Sequence, residues 1–288
     1  MLHGYDIMHL HTDEEIEKIN SVNSIVIFFK VLGFSDLVIK DYKKATLISH
    51  ALSKISEQFN NVNQVSINDH TLKTLKNSCE FEDNNYSTDH MYSTIFSNSV
   101  ILSCPIMEKN RLFTVKEIIK MICDVQFHML QEGFLIRGGI TIGDICHNNK
   151  YVFGKAVIEV FELERKKAMY PRIIISDKLL NVIVTDLNKS ILVNTDNYKY
   201  LLENEYFYDQ YIQEDDDLVT YIDYLGVGLL KFAEIMGHNY IDDFKTDFLD
   251  KIDRVIKDGK NNKNIDVKKK YFWLETKFFN KLKLFNDI

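Results

Sequence analysis

The sequence predicts an α+β fold, with helices packed on a mixed or mostly antiparallel sheet. Three observations carry that expectation. Ile25, Val26, Ile27, Phe28 and Phe29 form a continuous β-prone run of the kind that suits a strand covered on both faces. Apolar runs of that type then alternate with stretches whose apolar residues recur at three- and four-residue spacing. Proline and glycine are scarce, at 2 and 11 residues, while 45% of the 288 residues are apolar, so the chain can bury a sizeable core.

Taken in order, residues 1–22 are polar and peripheral, and their His3, His9 and His11 make only a weak metal-chelating pattern. The first strand runs into Gly33, a residue suited to a tight turn, and Ser35 is placed to cap the helix that follows. That helix is expected from Ser35 to Phe59, with Ala45, Ile48, Leu52, Ile55 and Phe59 along its buried side. Residues 60–90 lose all periodicity and read as a surface insertion, in which Asp83, Asp89 and His90 are better explained as a solvated loop than as metal ligands. Tyr92 to Pro105 returns to a β pattern, in which Phe96 to Ser99 reads as the bend of a hairpin or its edge and Val100 to Cys104 as a core strand. Thr114 and Glu117 have the spacing of a capping box, opening a helix that Gly133 closes. Phe134 to Ile142 is a strand whose adjacent Gly138 and Gly139 mark a bulge or a close backbone contact. A short hairpin, a helix from Phe153 to Lys167 and a strand from Arg172 to Ser176 follow. Further on, Ile191 to Asn194 and Leu218 to Tyr221 are read as strands around an acidic loop, and Leu229 to Met236, Phe244 to Lys257 and Val267 to Leu284 as helices. The last helix places Tyr271, Leu274 and Phe278 inward, and its lysines, Lys277 and Lys281 among them, are expected on the wet side.

The net charge of −7 argues against a general nucleic-acid-binding surface. No run is long and apolar enough for a membrane span, no signal-peptide pattern opens the chain, and the cytoplasm is the expected compartment. Cys79, Cys104, Cys123 and Cys146 have no zinc or thioredoxin spacing, and Cys104 and Cys123 are expected as buried thiols.

Five segments, FFKVLGFSDLV, TIFSNSVILSCP, GFLIRGGITIGDI, VFGKAVIEVFELE and PRIIISDKL, resemble in order the motifs of the class III nucleotidyl cyclase catalytic domain. The likeness is greatest to the bacterial pyrimidine (uridylate and cytidylate) cyclases of antiphage systems, and KKKYFWLETKFFN looks like their C-terminal helix. The resemblance covers roughly residues 22–285. It implies a ferredoxin-like, palm-type cyclase fold over 23–225, with a C-terminal helical extension, 226–288, packed on it. The reaction it implies is attack of a ribose 3′-hydroxyl on the α-phosphorus, with two divalent ions bridging two aspartates and the phosphates. It also implies pairing, as a homodimer or a heterodimer with a cyclase paralogue.

The residues depart from that pattern at the metal centre. The two aspartate positions correspond to Lys30 and Asn98. A lysine ammonium has no lone pair to give a metal, and asparagine brings no charge where hard cations need charged oxygens. The asparagine and arginine positions of the helix motif correspond to Ile158 and Glu162. No residue is therefore assigned to catalysis, and no cofactor is expected. Mg²⁺ or Mn²⁺ enters only if a neighbouring acid, Asp36 or Asp144, replaces the missing aspartates and the chain is an active cyclase of UTP or CTP. The favoured expectation is a degenerate cyclase homologue in signalling or antiphage defence. It binds a nucleotide or cyclic nucleotide, or a cyclase partner, and the residues expected to contact a nucleotide or its phosphates are Lys30, Val31, Leu32, Gly33, Phe34, Ser35, Arg137 and Arg165.

Overall fold

The computed structural model describes residues 21–60, 91–193, 206–229 and 241–286. The N-terminal histidines, the insertion with Cys79, Asp83, Asp89 and His90, and most of the helix expected at 229–236 lie outside the described residues.

The described chain is a mixed α+β fold built on one central sheet. Strand β1 (Val22–Val31) precedes helices α1 (Phe34–Lys40) and α2 (Tyr42–Asn60). Strands β2 (Tyr92–Phe96) and β3 (Ser99–Pro105) form a hairpin, followed by helix α3 (Arg111–Gln131) and the long strand β4 (Ile136–His147). Then come β5 (Val152–Phe153), α4 (Lys155–Glu162) continued by a π turn (Leu163–Lys167), β6 (Ile173–Ile175) and α5 (Asp177–Val193). Strands β7 (Ile212–Glu214) and β8 (Thr220–Ile222) and helices α6 (Ile241–Lys260) and α7 (Ile265–Asn286) complete the set, with short helical pieces at 206–211 and 224–229.

The strands lie in the order β2-β3-β1-β4-β6-β8-β7, with β5 paired to the end of β4. All pairings are antiparallel except β4 with β6. Alternate residues of β1 divide the sheet into two faces. Ile25, Ile27, Phe29 and Val31 join the main core, with buried residues of α2, α3, α5, α6 and α7. Val26 and Phe28 join a smaller core on the opposite face, under Ala156, Val157 and Val160 of α4. Gly138 and Gly139 are close contacts and not a bulge, since the β1–β4 register runs unbroken through them. A Cβ on Gly139 would lie 2.7 Å from the Leu163 Cβ and 3.1 Å from the Val160 carbonyl, so its bare backbone is what admits α4 to this face.

Several local readings are corrected. The expected single helix from Ser35 breaks at Asp41, whose extended backbone starts α2 and whose carboxylate accepts the Lys44 N–H at 3.1 Å. Gly33, at φ 73°, is the N-cap residue of α1, and Ser35 lies inside the first turn without a capping bond. Thr114 is within α3, its hydroxyl donating back to the Asn110 carbonyl, because the helix already starts at Arg111. Ile191 to Val193 close helix α5 instead of forming a strand. β4 continues past Ile142 to His147. Helix α6 runs on through Gly259, where a Cβ would fall 2.1 Å from the Tyr271 ring and keep α7 away.

Lys277 and Lys281 turn inward, not to the wet side. Buried carboxylates on the β7–β8 turn and beyond β8 attract them: Lys277 meets Asp215 at 2.7 Å and Lys281 pairs with Asp223. Beside them the fully buried Arg172 guanidinium pairs with Asp215 and Asp217 and is flanked by the rings of Tyr170, Tyr221 and Trp273. Trp273 donates its indole N–H to Asp215 at 2.6 Å. Burial works to raise the Asp215 carboxyl, but bonds from Lys277, Trp273 and the Asp216 N–H, with the charge of Arg172, outweigh it and hold its pKa below the usual 3.8. Removing one member of such a group leaves buried charge uncompensated. Asp215→Ala is expected to cost about 3–5 kcal/mol, against under about 0.5 kcal/mol for Lys283→Ala on the exposed side of α7. Urea unfolding of the two variants beside the parent protein measures the difference.

Candidate functional site

At the end of β1 the apolar run stops and Lys30 emerges on the face that α4 covers. The ladder sets it opposite Ser99 of β3 and Arg137 of β4. Glu164 joins the two cations: its Oε1 lies 2.6 Å from the Lys30 Nζ and 2.6 Å from the Arg137 Nε. The Glu164 side chain is 5% exposed, Arg137 20% and Lys30 29%, so the carboxylate is inside and the cations reach the surface. Arg137 also donates to the Ala168 carbonyl at 3.2 Å. The π turn closes here, with the Ala168 N–H on the Leu163 carbonyl at 2.9 Å.

Asn98 is spent on the backbone. Its side-chain amide donates to the Val31 carbonyl at 2.7 Å, and its own carbonyl accepts the Val31 N–H at 2.9 Å. The Leu32 N–H goes to the Leu135 carbonyl at 2.8 Å. Val31 and Leu32 therefore hold the strand end in place, and their N–H groups are committed. Gly33 and Ser35 are exposed and Phe34 half-buried. Helix α1, seven residues long, contains no buried residue.

The remaining predicted residues lie apart from the ion cluster. Asp36 is 71% exposed and sits 3.6 Å from Lys40. Asp144 is exposed opposite Asn23. That is seven ladder positions from Lys30, roughly 23 Å along the strand. Ile158 is 64% exposed on α4, Glu162 pairs with Lys166 at 2.7 Å, and Arg165 is exposed beside Glu162. A two-metal centre does not fit these residues: the strand position holds an ammonium already engaged with a carboxylate, and Asn98 directs its amide N–H groups at a carbonyl. Among the described residues, no group of three or more His, Cys, Asp or Glu is set to hold a metal ion.

Glu164 was not among the predicted site residues. Its signal was present, because it falls four residues after Val160 on the stripe that begins at Ala156. Lys270 of α7 was likewise assigned to the wet side. It is half-buried, and burial, the charge of Arg137 and that of Lys30 push its ammonium below the ordinary range, with Asp266 opposing.

A second polar group lies on the sheet, where His147 is bonded by Ser103 at Nδ1 (2.8 Å) and Thr94 at Nε2 (2.9 Å). Hydroxyl and imidazole together resemble a nucleophile with its base. Here both ring nitrogens are already bonded, Ser103 is buried, and the chain of bonds ties β2, β3 and β4 together. No family model matches the chain, and no curated protein matches it.

Burial lowers the His147 pKa from 6.5 to about 4. Below pH 6.5 the unfolded chain takes up a proton that the folded chain refuses. The stabilisation is complete above the unfolded value and is lost as pH falls from 6.5 toward 4. Denaturant melts across this range are expected to show a loss of at most roughly 3 kcal/mol that is absent from His147→Gln.

Proposed function

We propose that the chain is a nucleotidyl-cyclase-like protein that binds the phosphate end of a nucleotide without cyclising it. The observation that carries this reading is the Lys30–Glu164–Arg137 cluster. It stands where the resemblance implies a metal site, and it presents two partly exposed cations in place of acids. The topology supports the fold half of the reading. The succession β1-α-β2-β3-α-β4, with β1 between β3 and β4, is a split βαβ arrangement of the ferredoxin-like kind.

Two ions in a cyclase do two jobs: they neutralise the phosphates and they activate and align the attacking hydroxyl. Lysine and arginine perform the first directly, arginine with a fork of N–H donors suited to phosphate oxygens. They cannot perform the second, since neither lowers the pKa of a hydroxyl by coordination. Binding without turnover is the consequence. The α4 face also supports pairing with a second copy or an active paralogue. Phe96, Ile158 and Phe161 are 81%, 64% and 41% exposed there. A place in nucleotide signalling or antiphage defence follows from the resemblance.

Calorimetric titration of UTP, CTP, ATP, GTP and the 3′,5′-cyclic mononucleotides, in EDTA and in Mn²⁺, tests the reading. Binding of at least one nucleotide is expected to persist in EDTA, with no cyclic product formed from any triphosphate. Cyclic UMP or cyclic CMP made by the pure chain, or binding that needs Mn²⁺, overturns it.

A further inference from the structure

Resting on the reading just given, we infer that Lys270 is the third cation of this site, so that the C-terminal helix forms part of it and a polyphosphate bound there fastens the helix. The placement follows from two contacts and one helical spacing. Arg137 donates to the Ala168 carbonyl, and two residues later Tyr170 stacks on Trp273, with ring centres 5.6 Å apart and planes 6° from parallel. Lys270 lies three residues before Trp273, so it is on the same face of α7 and one turn closer to the start of the helix. The helix has no freedom to turn that face away. Trp273 and Lys277 are bonded to Asp215, and Lys281 to Asp223.

The charges do not balance. Lys30, Arg137 and Lys270 carry three positive charges, and Glu164 returns one negative charge. Asp266, the other acid near Lys270, has its own partner in Lys269 at 3.5 Å. A surplus of two positive charges at the mouth of a site whose one carboxylate is buried beneath them suits a ligand with several negative charges. That chemistry is a di- or triphosphate chain, either free or as the tail of a nucleotide. Lys30 and Arg137 belong to the sheet and Lys270 to the last helix, so a ligand touching all three ties α7 to the sheet at its N-terminal end, where among the described residues no ion pair to a buried acid does so.

The test uses the full chain and inorganic tripolyphosphate, titrated calorimetrically at low salt, with hydrogen–deuterium exchange followed over residues 265–277. Lys270→Ala and the stem-preserving Lys270→Gln are expected to weaken binding about fivefold to tenfold. They should also abolish the ligand-induced slowing of exchange in α7. Glu164→Gln, with the internal negative charge removed, is expected to bind more tightly, and Lys283→Ala to match the parent. If the parent binds tripolyphosphate and both Lys270 variants bind it equally well, the inference about α7 fails while the proposed function stands. If the parent binds neither tripolyphosphate nor any nucleotide, both fail. Binding of nucleotides with none of tripolyphosphate also overturns the inference, because the site then recognises something other than the phosphate chain.

Discussion

Strand β1 is hydrogen-bonded along both edges and covered on both faces, and the positions of the charged groups depend on that confinement. Its residues alternate between the main core and the α4 face, so a slip of one residue would drive Lys30 into the core and turn Phe29 toward Glu164. The register is held from both sides at the critical end. Asn98 bonds both backbone groups of Val31, and Leu135 accepts from Leu32. The bare backbone at Gly139 then lets α4 settle close to the sheet, which brings Glu164 down onto Lys30 and Arg137. Strand register, a missing Cβ and an ion cluster are thus one chain of cause.

Two buried carboxylates in this protein are handled in different ways, and the contrast separates architecture from site. Asp215 is enclosed by Arg172, Lys277 and the Trp273 indole, and Asp217 takes the second arm of Arg172. The guanidinium there is covered by aromatic rings, and Lys277 also lies 4.0 Å from Asp216, so the cations are fully matched by carboxylates. Such a closed group holds α7 against the β7–β8 turn and offers nothing to a ligand. Around Glu164 the cations outnumber the carboxylate and keep part of their surface in water. A group built only for stability has no use for that excess, since each unpaired cation adds repulsion. Excess charge with access is what the proposed phosphate site would use.

The sequence showed the elements whose cause is local. The β-prone run of β1, the positive-φ turn at Gly33, the hairpin bend at Ser97 and the helix end at Gly133 were all read from residue type and spacing. A close contact at Gly138 and Gly139 is one of the two readings the pair allows, and partners distant in sequence decide it, β1 at Gly138 and Val160 and Leu163 at Gly139. What escaped depends on partners far along the chain. A lysine on an amphipathic helix is expected in water unless an acid waits under it. Asp215 and Asp223, more than fifty residues before Lys277 and Lys281, are invisible to periodicity. Thr114 and Glu117 have capping-box spacing, but the same spacing recurs inside helices, and only the upstream turn at Asn110 decides. Glu164 was passed over for a related reason: a charged residue on an apolar stripe looks like an exception until Lys30 and Arg137 are placed beneath it.

Lys30, Asn98 and Glu164 are mutually consistent, and that consistency bears on how far the site stands from a metal centre. An aspartate at position 30, on the same backbone, would set a second carboxylate toward Glu164, whose side chain is only 5% exposed. Both carboxylates would then draw on Arg137, which now pairs with Glu164. An aspartate at position 98 would lose the N–H that now reaches the Val31 carbonyl at 2.7 Å and would put two acceptors face to face. Each residue is therefore engaged by its neighbours as a structural partner, not left as a vacant ligand position. An aspartate at either position adds a partly buried negative charge or removes a strand-end bond. Glu164 sets the sign of charge at this strand end, because its carboxylate is what makes a cation at position 30 the stable choice.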